Sequence, residues 1–141
     1  MALLSDFFLA ERAADAAGYD AQRDAYEGLR IQHKRITDVE LSILWSILRD
    51  EEWDSDTLDL FEMVFEADNG DRLIIQLPHD LLSDLASVPS DLEMELAEAW
   101  ADTEELSCPA REVLPVVRGL ADLSRRALER ECGVYLWIQV D

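Results

Sequence analysis

Between residues 50 and 105 the chain carries nineteen Asp and Glu residues and one basic residue, Arg72, a net charge of −18. A carboxylate taken out of water without a partner is costly. Every element in this stretch must therefore keep one wet face and use the other to hold the core. The flanks are nearly balanced: residues 1–49 hold six basic and eight acidic side chains, and residues 106–141 hold five of each. Almost all of the overall charge of −20 thus comes from one segment. Such a chain is repelled by nucleic-acid phosphates and by anionic membrane surfaces, which argues against nucleic-acid and membrane partners. It is attracted to basic protein surfaces.

With 49% apolar residues and four Trp, the 141 residues suffice for one folded domain, 1–141, despite the charge. No internal repeat or Gly/Ser linker divides it. Residues 2–10 read as a strand, and Glu11 to Ala17 as a short helix ended by Gly18. Leu29 to His33 alternates like a short strand. Thr37 and Glu40 have capping-box spacing, so a helix should run to about Arg49 with Leu41, Leu44, Trp45 and Leu48 on its buried face. A charged loop, 50–56, follows. Residues 58–66 and 72–77 read as a hairpin turning at Asp68-Asn-Gly-Asp71, with Phe61, Met63 and Phe65 on one buried face.

Pro78 opens a short helix to about Ala86. Ser90 and Glu93 have the spacing of a second capping box, predicting a helix to about Glu105 that buries Leu92, Leu96, Ala99, Trp100 and Thr103. Pro109 opens a long helix to about Glu131, with Val113, Val117, Leu120, Ser124 and Ala127 inward and Gly133 as its C-cap. Val134 to Val140 reads as a final strand near the first. Its Tyr135 and Trp137 belong to the core, covered by a helix of this domain or by a second protomer. The order predicts an α+β fold: a mostly antiparallel sheet, including the hairpin and both terminal strands, against about four helices.

Chemical motifs are weak. Cys108 and Cys132 are too few for a disulfide scaffold, and with His33 and His79 they lack zinc spacing. Asp54-Ser-Asp56 and the 68–71 turn offer oxygen ligands without the twelve-residue calcium loop, so no metal or cofactor is expected. Neither histidine lies in a nucleophile motif. His33 sits in a basic island with Arg30, Lys34 and Arg35, suited to pairing with the chain's own carboxylates. No catalytic residue is assigned. The N-terminus has no basic n-region and carries Asp6 inside its apolar run. It does not read as a signal peptide, which makes the cytoplasm the expected compartment.

The least ordinary feature is the spacing of Asp91, Glu95, Glu98, Asp102 and Glu105 along one helical stripe. Like charges so placed repel one another. The stripe is either a solvated helix face or a docking surface, and its position within the −18 segment favours docking. Glu51, Glu52, Asp54 and Asp56 would extend that surface.

Ile75 to Leu85, Ala97 to Leu106, the ending from Leu123 to Ile138 and the Asp6-Phe-Phe8 run together resemble a group of small acidic bacterial proteins frequent in actinomycetes. The layout also resembles YfbM-like proteins. The resemblance implies a bacterial stand-alone domain and supplies no site residues. The expected function is a non-enzymatic binding protein of the immunity or inhibitor type, neutralising a basic toxin or effector. The alternative is a housekeeping or accessory domain, monomeric or homodimeric, whose acidity serves solubility alone. An enzyme with a carboxylate site outside any motif ranks last.

Overall fold

The computed structural model describes residues 3–21, 26, 28–31 and 36–140. The chain forms a single α+β domain around a five-stranded antiparallel sheet of order β2-β1-β5-β4-β3. The strands are β1 (Leu3–Ala10), β2 (Gly28–Ile31), β3 (Glu62–Ala67), β4 (Arg72–Gln76) and β5 (Gly133–Val140). The helices are α1 (Ala13–Ala16), α2 (Asp38–Leu48), α3 (His79–Ala86), α4 (Glu93–Ala101) and α5 (Ala110–Arg130). The terminal strands pair along their whole length, from Leu3 opposite Val140 to Ala10 opposite Gly133. The hairpin forms one edge of the sheet.

Alternation along the central strands sends side chains into two separate cores. Phe7, Leu9, Val134, Leu136 and Ile138 face α2–α5, where Leu44, Leu85, Trp100, Val117 and Leu120 complete the larger cluster. Phe8, Tyr135, Trp137 and Ile74 point the other way and meet Ala16 and Tyr19. The aromatic face of β5 is therefore covered by the chain's own segment after β1, with Phe8 and Tyr19 stacked at 3.9 Å. Gly28 lies opposite Phe8 in β2. A Cβ there would come within 2.1 Å of the Phe7 carbonyl oxygen, so the strands can approach only because residue 28 has no side chain.

Polar contacts fix this second cover. Asp6 is 1% exposed and accepts a 2.7 Å hydrogen bond from the Tyr19 hydroxyl. Asp20 accepts from Trp137 Nε1 at 2.9 Å. Arg72 Nε lies 2.8 Å from the same Asp20 oxygen but off the line of its N–H, an ion pair without hydrogen-bond alignment.

The Thr37 capping box forms, with Glu40 Oε1 accepting from the Thr37 backbone at 2.8 Å. The hairpin turns where expected, with Asp68, Asn69 and Gly70 all at positive φ. Other expectations are corrected. Residues Ser55–Leu60 form a 3-10 turn and β3 begins at Glu62. Asp54 bonds the Asp56 N–H locally, and this competes with strand pairing. A bulge between Met63 and Phe65 then breaks the alternation, so that Phe65 pairs opposite Ile74 and packs against the second core, while Phe61 enters the larger core and Met63 stays 55% exposed.

The second capping box does not form. Ser90–Leu92 is a 3-10 turn, and Glu93 is buried beside Arg118, 3.4 Å from its Nε. Helix α4 ends at Ala101 rather than near Glu105. Thr103 Oγ1 donates to the Trp100 carbonyl, and Cys108 N–H returns to that of Ala101. The left-handed C-cap of α5 is Glu131, φ 54°, and not Gly133, which opens β5. Cys132 N–H closes this cap onto the Ala127 carbonyl.

Two outcomes follow. Glu131→Gly should stabilise the fold by about 0.5–1 kcal/mol in urea unfolding, by relieving the left-handed strain and a carboxylate at the helix C-terminus. Burial pushes the Tyr135 phenol above its ordinary pKa of 10.0, and Cys132, Asp15 and Glu62 add to the rise. Above that pH the unfolded chain loses a proton that the native chain keeps, so stability should fall as pH rises. Tyr135→Phe should flatten part of that fall in unfolding curves taken across alkaline pH.

Candidate partner-binding surface

All nine carboxylates expected to form a docking surface are exposed: Glu51, Glu52, Asp54, Asp56, Asp91, Glu95, Glu98, Asp102 and Glu105. None is ion-paired among the described residues. Arg72, the one basic residue of this segment, is held by Asp20 and Asp68. The segment's charge is thus not neutralised from within.

The nine do not form one regular stripe. Only Glu95 and Glu98 lie on α4 itself. Asp91 precedes it in the 3-10 turn, Asp102 is its C-cap, and Glu105 lies in the turn beyond. Glu51, Glu52, Asp54 and Asp56 follow α2, on a loop that folds back along that helix. Trp53 marks the return, its Nε1 donating to Ser42 Oγ at 2.8 Å.

Glu95 alone of the nine also borders a feature that helical periodicity did not predict. The C-terminal ends of α2 and α3 and the outer side of α4 enclose a groove of about 480 Å³. Its apolar surface comes from Ile47 and Leu48, from Val88 and Pro89, and from Leu92, Leu96 and Ala99. Asp84 and Glu95 also line it. Leu92 and Ala99, expected inside the helix face, instead form an exposed lip, with Leu92 at 44% exposure. Apolar residues at the ends of α2 and α3 and on the outer side of α4 were the available signal, but a groove exists only once the helices are assembled.

Both ends of the groove are braced. Asp84 Oδ2 accepts from Trp45 Nε1 at 2.7 Å and from Arg49 Nε at 3.1 Å, joining α3 to α2. The Arg49 guanidinium also lies 4.5 Å from the centre of the Trp45 ring. Arg125 of α5 donates to the Ala86 and Val88 carbonyls at 3.1 and 2.7 Å, satisfying the open end of α3.

Among the described residues no group of three His, Cys, Asp or Glu side chains is placed to hold a metal ion. Among the described residues Cys108 and Cys132 form no disulfide, and His79 is exposed. His33, Lys34 and Arg35 of the basic island lie outside the described residues, as does the Arg30 side chain. No described helix is long and apolar enough to cross a membrane. No protein family, curated protein or solved structure matches the chain.

Arg125→Met, which keeps most of the stem and removes the donors, should cost about 1.5–3 kcal/mol in chemical unfolding. It should also speed amide exchange at the end of α3 more than in β5.

Proposed function

We propose that this is a non-enzymatic acidic binding protein that neutralises a basic protein partner, in the manner of an immunity protein or inhibitor. One observation carries the reading: nine carboxylates of a −18 segment are exposed with no ion-pair partner among the described residues. Carboxylates serving only internal pairing would be matched by the chain's own Arg and Lys. Uncompensated charge gathered in one segment steers a cationic surface into encounter and raises its association rate.

The reading is tested by recovering a basic partner from the native host and measuring association at increasing salt. The rate should fall steeply with ionic strength. Reversal at Glu95, Glu98 and Asp102 should lower it by about tenfold or more. Reversal at the exposed Glu11 and Glu129 should change it far less. A partner bound with no salt dependence, or equally sensitive to both sets, would contradict the proposal. A toxin-like gene beside this one in the genome would support it.

A further inference from the structure

We infer that the groove between α2, α3 and α4 seats an amphipathic cationic segment of a protein partner, with apolar side chains in the trough and Lys or Arg on the carboxylates beside it. This rests on the acidic-surface reading and adds where the partner's apolar residues go. The trough is apolar and open, lined by Leu48, Val88, Leu92, Leu96 and Ala99. Its volume of about 480 Å³ lies in the range of binding pockets. Bracing by Asp84 and Arg125 forms it in advance, so little ordering is lost when it is filled.

Charge selects the occupant. Glu95 lines the groove, and Glu98 is exposed one turn further along α4. Asp50, Glu51 and Glu52 continue the chain from the opposite wall, all exposed. Arg49, at the α2 end, is already held by Asp84 and Trp45. A second copy of this chain would bring one acidic lip against another, at −20 per chain. A neutral apolar ligand would leave the carboxylates unused. A cationic segment with apolar residues on one side satisfies both features, as an amphipathic helix in a groove does.

The test uses the full chain and two synthetic peptides of equal positive charge and about 14 residues, enough for roughly four helical turns. One has Leu on one helical face and Lys on the other. In the second, Ser replaces every Leu. Calorimetry in low salt should show the Leu/Lys peptide binding at least about tenfold more tightly, the effect of burying one large aliphatic side chain. Ala99→Phe, which sets a bulky ring on the exposed lip, and Leu92→Ser, on the same lip, should each remove most of that margin. Affinity for the Ser/Lys peptide should stay within about twofold. Glu95→Lys with Glu98→Lys should weaken both peptides. Urea midpoints establish that the variants fold, and Leu92→Ser, at a half-exposed position, guards against a misfolded Ala99→Phe. Equal affinity for the two peptides, or a margin that survives both groove variants, overturns the groove proposal and leaves the acidic-surface reading standing. Failure of both peptides to bind overturns both. Dimerisation of the free chain that Ala99→Phe abolishes would assign the groove to a second copy and overturn the choice of partner.

Discussion

The pairing of β1 with β5 fixes the position of everything else. Eight residues of each strand are in register, and both strands lie inside the sheet, flanked by β2 and β4. Because both faces are buried, register is strongly specified. A slip by one residue would exchange Phe8 with Phe7 and turn Asp6 towards the helix-side apolar core, where nothing compares with the Tyr19 hydroxyl. The same pairing brings together chain segments that begin and end the described structure. α5, leading directly into β5, lies against β1, β2 and β5, and α3 and α4 pack on α5.

On the opposite side the described cover of the sheet is the short segment from Ala13 to Ala21, with Tyr26 packed beside it. It is positioned by stacking of Tyr19 on Phe8 and by two carboxylates, Asp6 and Asp20, that accept from Tyr19 and Trp137. Asp20 also draws in Arg72 from β4, so one side chain joins the cover to two strands. These carboxylates lie outside the acidic segment and are consumed internally. The contrast with the nine exposed ones is therefore structural as well as numerical.

Elements with a local chemical signal were legible in the sequence. Thr37 with Glu40, the Asp-Asn-Gly-Asp turn, Pro78 and Pro109 each act within a few residues, and each marks a boundary that the fold keeps. Boundaries failed where a distant partner outcompeted the local signal. Glu93 could have capped its own helix, but it lies buried beside Arg118 of α5. The α5 cap fell on Glu131, because Gly133 is already paired with Ala10 of β1 and the Cys132 N–H closes onto the Ala127 carbonyl. The bulge in β3 follows from pairing with β4 and leaves no mark in the apolar pattern. The candidate site divides the same way. Which residues are acidic, and that they face water, follows from amphipathic spacing. That Glu95 borders a trough depends on the ends of α2 and α3 meeting the outer side of α4.

The acidic segment also runs against its own helices. α2, α3 and α4 carry no basic residue in their last turns, whereas α5 ends with Arg130. Cations at those positions would favour the helix dipole by a few tenths of a kcal/mol each. Two arginines do reach these ends: Arg49, the C-cap of α2, is turned onto Asp84 and Trp45, and Arg125 of α5 donates to the Ala86 and Val88 carbonyls at the end of α3. Solubility would be served by the same charges spread over the surface, and stability by opposite charges at these helix ends. α4 ends on Asp102, with Glu104 and Glu105 beyond it and no basic residue in its last turn. Under the proposed function, that end is kept free for a partner's cation.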